Sequence, residues 1–192
     1  MGLIAYGKSL AWLLLFVLPL AALADSFSLE GIELSTQKPW GSDTEWRQIA
    51  IELRYDARDE ALPPAAVMSL TLAFQVDQAR IQFFSRSVRF IAPDVGEKRT
   101  VFFFLPPEIA SRNAFSREPL AWAIRLDCGD EPPVLAQSEL LSDPAALTSF
   151  QRQAQTANRD YLLPLYATPF ALYPHEEYRR ASPTYLWKES AQ

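Results

Sequence analysis

The stretch Met68–Gln78, MSLTLAFQVDQ, sets Leu70, Leu72, Phe74 and Val76 in alternation with Thr71, Ala73, Gln75 and Asp77. A period of two is the pattern of a β-strand with one face buried and the other wet. The same alternation recurs on both sides of it. Toward the N-terminus, Glu45–Tyr55 turns Ile49, Ile51, Leu53 and Tyr55 inward and Gln48, Glu52 and Arg54 outward, with Trp46 one residue out of phase, where it would cover the sheet edge or the end of the packed interior. Ser26–Thr36 places Phe27 and Leu29, then Gly31, then Ile32 and Leu34; a phase that shifts by one at a glycine is what a β-bulge requires. Toward the C-terminus, Ile81–Ala92 slips phase near Phe83-Phe84, which either one bulged strand or two short ones would produce. Arg99–Leu105, RTVFFFL, is apolar on both faces and reads as a strand with something packed on each side. Leu120–Cys128 alternates cleanly, and Val134–Leu141 makes a last strand.

Turn chemistry separates these runs: Lys38–Asp43 (KPWGSD), the Asp56–Pro64 loop ending in two prolines, Pro93–Glu97, and Asp127–Pro133. Glu108–Glu118 is a polar excursion with room for one helical turn. The expectation is an all-β chain, a seven-stranded immunoglobulin-like β-sandwich over residues 25–141, with a closed barrel as the competitor. The paired cysteines and tryptophan of antibody domains are absent, so the likeness is architectural. A short amphipathic helix is expected within 142–158: Asp143 is placed to cap it, Pro144 stands at its first position, and Leu147, Phe150, Ala154 and Ala157 share a face. Residues 159–192 form a tail rich in proline and aromatics, too apolar for a disordered linker. It either wraps its own domain or docks on a partner through Tyr161–Tyr173.

Met1–Ala24 carries Lys8, an apolar run from Leu10 to Leu23 and a small-residue Ala22-Leu23-Ala24 ending, the pattern of a secretory signal peptide cleaved before Asp25. The run is shorter than the ~20 residues that span a bilayer, so no membrane span is expected after cleavage. An exported protein, periplasmic or at the cell surface, follows. The net charge of −5 with basic residues scattered among acidic ones argues against a nucleic-acid partner. Cys128 is the single cysteine, so no intrachain disulfide forms; it continues the inward series Trp122, Ile124, Leu126, which favours a buried thiol over one offered to another chain.

Trp46-x-x-Ile49-x-Ile51-x-Leu53, the Val88-x-Phe90-x-x-Pro93 segment, the Arg99 strand, and Tyr161-Leu162-Leu163-Pro164 followed by Thr168-Pro169-Phe170-Ala171 resemble the small secreted immunoglobulin-like proteins of Akkermansia-type bacteria. Some members of that group are encoded with type IV pilus and secretion genes. The resemblance covers Trp46 to about Tyr173 and implies an envelope or pilus-associated β-sandwich without known chemistry; Pro174–Gln192 have no counterpart in it.

No catalytic, metal or cofactor set is expected. His175, the only histidine, adjoins Glu176 and Glu177, and a metal there would need ligands from elsewhere. No G-x-S-x-G elbow or glycine-rich phosphate loop occurs, and a Cys128–His175 dyad conflicts with an inward thiol. The acidic positions that can be placed fall on outward faces or turns, which leaves a hydrolase as the least favoured reading. The expected function is noncatalytic binding of other envelope or pilus and secretion-associated proteins. Next comes a carbohydrate-binding module that stacks exposed rings on sugars. The candidate binding residues are Trp40, Trp46, Tyr161, Phe170 and Tyr173.

Overall fold

The computed structural model describes residues 26–56, 65–112, 115, 117–129, 132–172 and 176–186. The expected signal peptide, Tyr173, His175, and most of the Asp56–Pro64 loop lie outside these. Seven strands form the body: β1 (Ser26–Gln37), β2 (Trp46–Asp56), β3 (Ala65–Gln75), β4 (Ile81–Ile91), β5 (Lys98–Leu105), β6 (Ala121–Cys128) and β7 (Val134–Gln137). Two more of two residues each, β8 (Leu163–Pro164) and β9 (Thr184–Tyr185), make nine where the sequence pattern predicts seven. A two-residue strand is created by the neighbour it lies against, and periodicity cannot announce it.

The strands pair into two antiparallel sheets, β1-β2-β5-β8 and β7-β6-β3-β4-β9, packed face to face as a β-sandwich. Ala66, Met68, Leu70, Leu72 and Phe74 of β3 are fully buried between them. They meet Ile49, Ile51 and Leu53 of β2 and Val101, Phe103 and Leu105 of β5 in one core. β3 runs three residues earlier than the opening pattern suggests and stops at Gln75. There the Asp77 carboxylate accepts the amide N–H groups of Ala79 (3.1 Å) and Arg80 (2.9 Å) and turns the chain into β4.

The phase irregularities have distinct causes. At Gly31 the register of β1 on β2 does slip by one residue, so Leu29 opposite Leu53 and Ile32 opposite Ile51 both face inward. Near Phe83-Phe84 there is no bulge: β4 pairs with β3 without interruption from Ile81 to Ile91. The alternation is interrupted because the outer face is covered at Phe83. Phe84 enters the core, and Phe83 meets Phe150 (5.4 Å between ring centroids) of helix α2 (Pro144–Ala154) on the outer face. The Asp143 carboxylate accepts the Ala145 N–H (3.2 Å) and so caps α2. β5 repeats the arrangement on the other sheet, where the outward Phe102 and Phe104 join Trp46, Leu165, Phe170 and Tyr178 in a separate buried cluster.

That second cluster is where the tail goes. The Asn158 N–H donates to the Phe83 carbonyl and its own carbonyl accepts from the Ser85 N–H, both at 2.9 Å, pinning the chain to the free edge of β4. Five residues later it has crossed to the free edge of β5, where β8 pairs with Phe103 and Phe104. It then crosses the outer face of the first sheet through two 3-10 turns, Leu165–Ala167 and Pro169–Ala171, and through helix α3 (Glu176–Ala181). The buried Tyr178 hydroxyl donates to Gln48 Oε1 at 2.6 Å, so neither buried polar group is left unpaired. Last, β9 returns to β4 beside Phe90 and Ile91. The tail therefore laces shut the β4–β5 side of the sandwich and packs on its own domain.

Tyr185 in β9 is half-buried, with its hydroxyl turned in to accept the Phe102 N–H at 3.5 Å. Burial pushes its pKa up to about 12 from the usual 10, against smaller opposing hydrogen bonds. Folded protein thus holds this proton over a range where the unfolded chain has released it. The associated stability is intact below about pH 10 and is lost as the pH rises toward about 12. Absorbance titration at 295 nm should show one tyrosine ionising late, and Tyr185→Phe should flatten that part of the alkaline stability profile. A profile unchanged by the substitution would place the hydroxyl in solvent.

Candidate functional site

The five candidate binding residues do not converge. Trp40 stands 74% exposed in the hairpin between β1 and β2. Trp46 and Phe170 are buried against one another, 5.9 Å between ring centroids, so neither offers a free ring to a ligand. This corrects the expectation of Trp46 as a surface platform: its side chain points to the outer face of the sheet, but the tail fills that face. Tyr161 is 39% exposed at the crossing between β4 and β5, where the Asn158 side-chain oxygen accepts its N–H at 3.2 Å. Tyr173 lies outside the described residues.

Trp40 is the candidate left on an open surface, and its hairpin is braced. The Ser42 N–H donates to the Pro39 carbonyl (3.1 Å), the Ser42 and Thr44 hydroxyls lie 2.6 Å apart, and Gly41 turns with φ of 75°, a region that side chains with a Cβ rarely adopt. Lys38 and Glu45 pair across the stem at 3.5 Å. Beneath the hairpin lies a cavity of about 440 Å³ lined from its stem by Thr36, Thr44 and Glu45. Arg47 of β2 and the short helix α1 (Pro107–Ala110), with Glu108 and Ser111, complete the lining.

Arg47 lines this cavity without standing out in the sequence pattern. It continues the inward series of β2, two residues before Ile49, and is paired with Thr36 on one side and Leu105 on the other. At the end of the sandwich the inward series thus ends on an arginine, and α1 closes over that end through Ile109, which is buried in the core. Arg47 is half-buried, and its Nε, shielded from solvent, meets no hydrogen-bond acceptor. A buried donor left unmade costs about 1–3 kcal/mol. Among the described residues no carboxylate pairs with it, although Glu45 and Glu108 line the same cavity. The signal was available: a charge in the inward phase of a strand whose other inward residues are Ile, Ile, Leu and Tyr.

Two other groups of charges are paired. On the polar half of the outer face of the first sheet, Lys98 bridges Glu30 and Glu52, and its ammonium holds the Glu30 carboxyl below the usual carboxylate range. A second groove, about 290 Å³ between α2 and the outer face of β3, β6 and β7, contains Arg125, but that guanidinium is tied to Asp127 at 2.6–3.0 Å. Cys128 is buried opposite Ala66. No helix among the described residues is long and apolar enough to cross a membrane.

A crystal structure of a protein from Akkermansia muciniphila shares this fold, with a TM-score of 0.63 over 85% of this chain and 94% of that one, at 14% sequence identity. No family model matches the chain, and no curated protein matches it in sequence.

Proposed function

We propose that this chain is a noncatalytic, exported β-sandwich that binds other proteins of the cell envelope, pilus or secretion-associated proteins among them, through the β1–β2 end of the domain. The observation that carries this reading is an exposed indole, Trp40, on a braced hairpin whose stem, with Arg47, lines an open cavity. Tryptophan is among the side chains most enriched at the energetic centres of protein interfaces. Export rests on the Met1–Ala24 pattern, and the envelope setting on the resemblance to secreted proteins of Akkermansia-type bacteria, a likeness of fold to which the crystal structure adds.

The domain is of immunoglobulin-like type on this reading. The first sheet keeps strands one, two and five together and the second keeps seven, six and three, as in an immunoglobulin domain, while the fourth strand has joined the third. The same exposed indole also suits the face of a sugar ring, which keeps carbohydrate binding as the second reading. A photoreactive amino acid at position 40, irradiated in the producing cells, should form adducts with envelope protein that are absent when it is placed on the solvent face of α2. No protein adduct, together with polysaccharide retention lost in Trp40→Ala, would overturn the first reading in favour of the second.

A further inference from the structure

We infer that the outer edge of β1, over Ile32–Gln37, receives an extended segment of a partner polypeptide in which apolar residues alternate with lysine or arginine. This is a different surface from the Trp40 turn, and the inference stands whether or not that turn binds protein. The two lateral sides of the sandwich differ. On the β4–β5 side the tail occupies both edges, and the inward Phe84 and Phe90 of β4 and Val101, Phe103 and Leu105 of β5 are sealed from water. On the opposite side β1 ends its sheet, with β2 as its single strand partner among the described residues. β7, which ends the other sheet, lies beside β1, but among the described residues no backbone hydrogen bond joins the two. Ile32 and Leu34 are therefore only half-buried, although they face the same core as their ladder neighbours Ile51 and Ile49, which are fully buried.

Sheet edges are commonly guarded by proline, lysine or a bulge. The bulge of β1 interrupts its edge at Gly31, but Ile32–Gln37 beyond it keep a regular register on β2 and contain neither proline nor lysine. A strand added there gains main-chain hydrogen bonds, and its alternate side chains meet the two faces of the sheet. Its inward residues would cover Ile32 and Leu34 and so should be apolar. Its outward residues would stand beside the exposed Glu33, which with Glu30, Glu52 and Thr100 lines an open cavity of about 230 Å³ on the outer face. Lys98 bridges Glu30 and Glu52, and among the described residues Glu33 has no ion pair. Three carboxylates against one ammonium favour a basic side chain in that position. A second copy of β1 would bring its own Glu30 and Glu33 to the same face, and like charges on neighbouring strands are unfavourable.

The test is a nuclear magnetic resonance titration of the backbone amides of the isotope-labelled mature protein. The probes are acetyl-Lys-Val-Lys-Val-Lys-Val amide, its counterpart with Glu in place of Lys, and its counterpart with Ser in place of Val. The Lys-Val peptide should shift the amide signals of Ile32–Gln37 saturably, and at least about tenfold more tightly than either counterpart. Glu33→Lys, a change at an exposed position, should erase the advantage of the Lys-Val peptide over the Glu-Val one. No saturable shift over Ile32–Gln37, equal affinity for either counterpart, or an unchanged preference in Glu33→Lys would each overturn the inference. Amides of Ile32–Gln37 already protected by dimerisation before any peptide is added would overturn it too, by giving the edge to a second copy.

Discussion

Phe104→Ala is expected to lower the unfolding free energy by about 3–5 kcal/mol and to loosen the tail before the sandwich itself opens. Phe104 is fully buried yet points away from the space between the sheets. Its ring stacks on Phe170 at 4.6 Å and 18° and meets Trp46 and Tyr178 edge-on at 6.5 and 6.2 Å. Truncation therefore removes the central surface against which the tail is packed and leaves a cavity that three aromatic rings must collapse to fill. Phe103→Ala, one residue away on the opposite face, should cost a similar amount but act on the inter-sheet core. Urea denaturation gives the free energies, and amide exchange at Leu165 and Tyr178 distinguishes the two variants. Faster exchange there is expected in the Phe104 variant well below its unfolding midpoint. A cost under about 1 kcal/mol with unchanged exchange would mean that the tail is not anchored on this face.

Most of the layering was legible because alternation encodes it directly. The inward residues of β2, β3 and β6 follow the period of two, and even the bulge is written as a phase slip at Gly31. What could not be read is what lies on the outside of each sheet. A strand apolar on both faces says only that both are covered, and nothing local tells whether a helix, a tail or another molecule covers them. Phe83 answers to Phe150, 67 residues later in sequence, and Phe102 to Tyr178, 76 residues later. Trp46 looked out of phase for the same reason: it is in phase with the outer face, whose cover lies near the far end of the chain.

The candidate site was less legible, because its members are unremarkable one at a time. Trp40 was visible as a turn tryptophan with no core phase to join. Arg47 sits in a perfectly regular alternation and becomes notable only because the core ends there and α1 leaves a cavity over it. Two like residues show how strongly context decides: Arg125 on β6 is tied to Asp127 two residues away, whereas Glu45, two residues from Arg47, pairs with Lys38 instead.

Ending the chain at Ala157 should have the largest effect of all, abolishing the cooperative monomer. Leu162, Leu165, Phe170 and Tyr178 of the tail are buried, and at about 1.5–3 kcal/mol each they contribute about 6–12 kcal/mol before the entropy of ordering the tail is set against them. That gross figure matches the whole net stability of a typical domain, about 5–15 kcal/mol. The loss is doubled on the body, where Trp46, Phe102 and Phe104 would face water as one contiguous apolar patch. The edges of β4 and β5 would be opened at the same time, since Asn158, β8 and β9 now occupy them. Exposed edges beside an exposed aromatic patch are the conditions for edge-to-edge association. Size-exclusion chromatography should show the truncated chain as aggregate or oligomer, with strong binding of a hydrophobic dye and a broadened urea transition. Adding back a synthetic peptide of residues 158–186 should restore part of the monomer, because the surface it covers belongs to the body. A truncated protein that stays monomeric with an unchanged midpoint would show that the sandwich closes without its lacing, and that the tail is free for another surface.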